Sequence, residues 1–325
     1  MTEDRNQKGE ASKSPAVYLQ LALGMTAFGS ATPVSKIITA AVPVFVDSAL
    51  RVTIGALVLA PFALRNWRQV KRFGRREWLL VALISLFGMF GFSALMLYGM
   101  GMIPGVVGAI VMSTTPAVTA AASMIFMGDR PTWRKLAAIA LAVGGVLILH
   151  LGRQGSEGGS GGGSGGGSGS LLLGSGLVFG AVCCETAYTL LGKKMSERVD
   201  PVLVAFLAAA ISIPVFLPFA LWQWSGFAVA DTSGRVWTAL LWYGAGTLAL
   251  GTWLWYSGLA KAEGAVAAGF MGLMPVSALV LSYLLLDEPF RWLHLLGFGT
   301  VFIGVLLMSW EHARMSQGAP RSGST

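Results

Sequence analysis

The chain has 325 residues, 54% hydrophobic and 12% charged, with a mean hydropathy of +0.68 and a formal net charge of +8. Soluble domains carry about 25% charged residues, so a water-soluble fold of this composition would lack polar atoms for its surface. The positive charge does not point to nucleic acid, because the basic residues sit in short connections between apolar runs, where they report membrane topology.

Residues 1–15 read as a charged tail. Ten apolar runs follow, at 16–40, 44–64, 77–98, 104–127, 132–151, 171–191, 201–222, 235–258, 264–286 and 291–310. Each is long enough to cross a bilayer as a helix. The connections on the N-terminal side of the membrane, with the two tails, hold 18 Lys and Arg, against Arg153, Arg235 and Arg291 on the other side. That asymmetry predicts two cytoplasmic termini. Residues 152–170 form a linker whose core, GSEGGSGGGSGGGSGS, has no side chains to bury and behaves as a random coil. A designed spacer and a natural low-complexity loop share this composition; both are tethers. Residues 311–325 read as a second cytoplasmic tail. No cleavable signal peptide is predicted. Cys183 and Cys184 are neighbours in an apolar run, with neither disulfide nor metal spacing.

The chain repeats itself. In one register, 159 residues apart, Gly105 meets Gly264, Ala109 meets Ala268, Pro116 meets Pro275, Asp129 meets Glu288, Trp133 meets Trp292 and Gly145 meets Gly304. At an offset of 157, Lys36 meets Lys193, the run from Pro61 meets that from Pro218, and Trp67 meets Trp224. Each half has five runs, and an odd number makes the second half enter the membrane from the opposite side. Inverted repeats are the architecture of secondary transporters, which bind substrate near the midplane. The predicted fold is an all-α membrane protein of ten transmembrane helices in two inverted five-helix repeats, 16–151 and 171–310.

Both halves carry a small-residue-rich helix with a mid-helix proline, a short acidic turn and a Gly-rich helix. Phe28-Gly29-Ser30 with Lys36 opens one half, and Glu185-Thr186-Ala187-Tyr188 with Lys193 opens the other. This pattern resembles the EamA repeat of the drug/metabolite transporter superfamily. The resemblance covers nearly the whole chain outside the tails and the linker. It implies a secondary transporter that exports small metabolites, amino acids including aromatic ones, from the bacterial inner membrane. Such a protein works in the bilayer as a monomer, with no cofactor, metal, nucleic acid or enzymatic step. The runner-up is a proton-coupled drug or organic-cation antiporter. A membrane enzyme would need a polar catalytic cluster, and His150, His294 and His312 stand far apart at span ends.

A charge inside the hydrocarbon region is expensive, so Glu185 is the first site candidate. It either binds a substrate ammonium or coupling proton, or pairs with a neighbouring helix. Tyr188 follows one turn later. Phe28, Met96, Met112, Ser113, Trp253, Tyr256, Met271 and Met274 are expected to line an apolar or amphipathic substrate cavity, packing being the other reading of each. Pro33, Pro116 and Pro275 each free a helical carbonyl and mark hinges or static kinks. Asp47 and Arg51, four apart on one helical face, read as an ion pair or an outer gate.

Overall fold

The computed structural model describes residues 15–126, 132–154, 168–196, 198–262 and 264–318. Among them the chain forms helices alone: α1 Pro15–Thr39, α2 Val44–Ala63 with a 3-10 extension Leu64–Arg72, α3 Arg75–Met102, α4 Gly105–Phe126 and α5 Trp133–Gln154. The second half supplies α6 Ser168–Ser196, α7 Pro201–Trp224, α8 over 234–259, α9 over 264–286 and α10 Trp292–Gly318. Seven described helices are long and apolar enough to cross a membrane: α1, α2 with its extension, α3, α4, α6, α7 and the 269–286 part of α9. The expected linker is shortened from both ends, because α5 runs to Gln154 and α6 starts at Ser168. Helix α10 continues to Gly318, past the expected start of the tail at 311. Residues 1–14, 155–167 and 319–325 lie outside the described residues.

Helix starts are fixed locally. Asp200 accepts hydrogen bonds from the amides of Val202 and Leu203, and Pro201 occupies the first turn, where no amide donor is needed. Four helices are interrupted, at matching places. Helix α3 is π-helical over Ser85–Gly91 and α8 over Trp242–Gly251, and Ser85 and Trp242 stand 157 apart. Helix α4 breaks at Ser113 and Thr114, and α9 breaks at Gly272, which is 159 from Ser113.

The packing repeats as well. Helix α2 lies on α7, and α5 on α10; α1 packs on α8 and α9 as α6 packs on α3 and α4. Even single contacts correspond. Thr119 of α4 and Thr186 of α6 bring their hydroxyls to 3.2 Å, and the equivalent Gly29 and Ala278 meet between α1 and α9. At Gly29 an added Cβ would strike the Ser277 hydroxyl and the Met274 carbonyl, so glycine permits this approach. Leu57, Leu284, Phe126 and Trp222 are all more than two-thirds exposed, far more apolar surface than water tolerates and what a bilayer would cover.

Candidate functional site

Pro116 has no N–H to offer the carbonyl four residues back, that of Met112. The Thr115 hydroxyl takes over that carbonyl at 2.7 Å. The same Thr115 oxygen lies 3.0 Å from Glu185 Oε2 on α6. A hydroxyl has one proton. When it goes to Met112, the Thr115 oxygen can accept from a protonated Glu185; when it turns to Glu185, the carboxylate is the acceptor. The helix break and the acid of α6 therefore share one proton position. Glu185 itself is half-buried.

The turn of α6 around Glu185 rests on the π segment of α3. An added Cβ at Gly91 would lie 3.0 Å from Cys184 Sγ, and one at Gly88 would collide with the Tyr188 ring. Two glycines of the π segment thus make room for the residues on either side of Glu185. Its repeat counterpart, Phe28, is served in the same way: a Cβ on Gly251, at the end of the second π segment, would be 3.1 Å from the Phe28 ring. Phe28 shares an apolar cluster with Met25, Tyr256, Phe270, Leu273 and Met274.

The remaining expected lining residues lie elsewhere. Met96 and Met112 are buried in a cluster with Val178, Val182 and Val301. Ser113 donates to the Ile110 carbonyl of its own helix at 2.6 Å. Trp253 packs on Phe62 at 5.6 Å between ring centroids, and Met271 is 48% exposed outside the Phe28 cluster. Helix α1 runs through Pro33 without interruption, whereas Pro116 and Pro275 follow the two breaks.

Asp47 and Arg51 do not bond to each other. Arg51 turns to α3 and α8 instead, donating to the Ser93 hydroxyl at 2.9 Å and lying over the Tyr243 ring at 4.2 Å. Both Asp47 carboxylate oxygens, Arg51 Nε and the Tyr243 hydroxyl are buried without a hydrogen-bond partner. Lys36 also points inward, donating to the Met100 carbonyl at the end of α3 at 2.7 Å.

Thr115, Ser93 and the π-segment glycines were not singled out by the sequence. Thr115 had a signal, a hydroxyl directly before the proline of an apolar run. The others had none.

The EamA-like transporter family model matches residues 16–151 and again 172–310. The uncharacterized transporter YetK of Bacillus subtilis is 30% identical over 91% of this chain and 87% of its own length. A protein of Streptantibioticus cattleyicolor named "Probable terminal-alkyne amino-acid exporter" is 24% identical over 96% of this chain and 98% of its own. One solved structure, described only as a crystal structure of a protein, covers 94% of this chain and 99% of that one with a TM-score of 0.58 at 18% identity, a likeness of fold alone. With two copies of the family domain across its length, the chain belongs to the EamA-like transporter family and is a multi-pass membrane protein of a bacterial transporter group.

Proposed function

We propose that the protein is a secondary exporter of small metabolites, amino acids including aromatic ones, working by alternating access between its repeats. In this reading it crosses the inner membrane ten times as two inverted five-helix repeats, 16–151 and 171–310, and acts as a monomer. Both termini are cytoplasmic and the 152–170 linker lies outside. The observation that carries the reading is the matched set of helix interruptions. Irregular backbone at membrane depth survives only where protein buries it or a cavity receives it, and π segments recur at functional sites. Here the interruptions of α3 and α4 adjoin the Glu185 turn, while those of α8 and α9 adjoin Phe28. Glu185 offers a hydrogen-bonding carboxyl beside the apolar and aromatic surface of Tyr188, Tyr256, Phe28 and Met274. The amino-acid class draws support from the name of the Streptantibioticus relative.

Counterflow in proteoliposomes with labelled phenylalanine, methionine, threonine and a set of organic cations tests the reading. Saturable exchange of amino acids is expected; exchange of the cations alone would overturn it. The second reading, a proton-coupled drug or organic-cation antiporter, is favoured by the single proton position between Thr115 and Glu185. Under it, Glu185→Gln abolishes uphill pH-driven transport and spares counterflow, which moves no net protons. Under the exporter reading the same substitution mainly weakens apparent affinity.

A further inference from the structure

Away from Glu185, a second polar group is buried where both π segments converge. Arg51 stands two turns into α2, and a Cβ on Gly244, in the π segment of α8, would come 2.9 Å from its carbonyl. Tyr243, in the same segment, lies under the guanidinium. Ser93 and Phe92, immediately after the π segment of α3, supply the hydrogen bond on one side and a ring at 5.6 Å on the other. Asp47 is 0% exposed and Arg51 7%.

A buried charge short of hydrogen bonds is strongly disfavoured, yet this group holds two of opposite sign, Asp47 with no hydrogen bond and Arg51 with one to Ser93, and none runs between them. Asp47 has two acceptor oxygens unmatched, Arg51 has a donor unmatched at Nε, and the Tyr243 hydroxyl is unmatched beside them. The ligand chemistry that answers all of them is specific. A lone anion would match Arg51 and leave Asp47 worse off. A lone cation would do the reverse. A zwitterion with a carboxylate and an ammonium on one carbon matches both, and adds no net charge to the interior. The guanidinium fork suits a carboxylate in particular.

We propose that Asp47, Arg51 and Tyr243 form the head-group subsite for an α-amino acid, Arg51 taking the carboxylate and Asp47 the ammonium. Ala49 and Val52, on either side of Arg51 in α2, share an apolar cluster with Tyr188 of α6, so the subsite adjoins the Glu185 turn, which is left to receive the substrate side chain. The proposal rests on the amino-acid exporter reading. It goes further by assigning recognition to groups that sequence spacing suggested were an ion pair or gate.

The test uses the full-length protein in proteoliposomes, with phenylalanine, phenylethylamine, which lacks the carboxylate, and 3-phenylpropionate, which lacks the ammonium. A site with buried groups that need partners rejects analogues lacking them. Wild type is expected to exchange phenylalanine with an apparent affinity at least about tenfold better than either analogue. Arg51→Gln should weaken phenylalanine and phenylpropionate but leave phenylethylamine unchanged. Asp47→Asn should weaken phenylalanine and phenylethylamine but leave phenylpropionate unchanged. Where a single variant fails to insert, the double variant Asp47→Asn with Arg51→Gln leaves no unpaired charge, and it should lose the preference for phenylalanine over both analogues. Equal losses on all three compounds, or a double variant that keeps the preference, would overturn the subsite while leaving the exporter reading intact. A wild type that exchanges none of the amino acids would overturn the exporter reading and the subsite with it.

Discussion

At the scale of single residues, Thr115 bears the most. It repairs the carbonyl that Pro116 leaves open and touches the one acid at the centre of α6. Its repeat counterpart, 159 residues on, is Met274, which has no hydroxyl. The halves therefore differ where the chemistry is: Glu185 faces Phe28 across the repeat, and Thr115 faces Met274. Thr115→Val keeps the shape and removes both contacts. A net hydrogen bond is worth about 1 kcal/mol, and more to a charged partner. Thr115→Val should therefore lower unfolding stability by about 1–2 kcal/mol and weaken counterflow, while Thr115→Ser should recover most of both. Thermal unfolding in detergent beside counterflow of the same preparations checks this. Sequence reading overlooked Thr115 because hydroxyls in apolar spans often bond only to their own helix, as Ser113 does here. It paired Asp47 with Arg51 because spacing fixes which residues share a face, not which way a long side chain turns; Arg51 found better partners in Ser93 and Tyr243.

At the scale of elements, close approach decides the packing. Gly29 of α1 lies directly against α9, whereas Gly176 of α6 has nothing within 4 Å of where a Cβ would stand. Gly29→Ala should impair assembly and transport, and Gly176→Ala should leave both near wild type, as size-exclusion profiles and counterflow would record. Between the halves, Glu288 accepts from the amides of Gly105 and Val106 at the start of α4, at 2.5 and 2.9 Å. A carboxylate at a helix N-terminus answers both the orphan amides and the dipole. Lys36, bonded to the end of α3, interacts electrostatically with Glu288. In the proposed orientation this end faces the outside, so Glu288 latches the second half onto the first there. Glu288→Ala should lower thermal stability by about 1–3 kcal/mol and Glu288→Gln by less; equal stability of Glu288→Ala and wild type would remove the latch. The acidic turn after the ninth run was plain in the sequence, but its partner was not, because the contact crosses some 180 residues of chain. The π segments were invisible for another reason. In an apolar run nearly every position is hydrophobic, so a change of helical period leaves no trace in the pattern.

At the scale of the whole molecule, the duplication was legible because an ungapped offset survives in glycine, proline and tryptophan positions, and it reappears in the structure as paired breaks and paired contacts. The apolar runs were legible from length and composition, and helices occupy each of them. Their ends were less so, since hydrophobicity does not fix where a helix stops: α10 continues to Gly318. The cavity lining was least legible. Methionines and aromatics serve cores and binding sites alike, and Met96 and Met112 were taken into packing. What remains is whether the region between the repeats opens alternately to the two sides. Cys184 stands beside Glu185 against Gly91, so it is a natural reporter once Cys183 is replaced by Ala. In right-side-out and inverted membrane vesicles, an impermeant thiol reagent should label Cys184 from both sides, and transported amino acid should change the two rates in opposite directions. Labelling from one side only, unaffected by substrate, would contradict alternating access at this site.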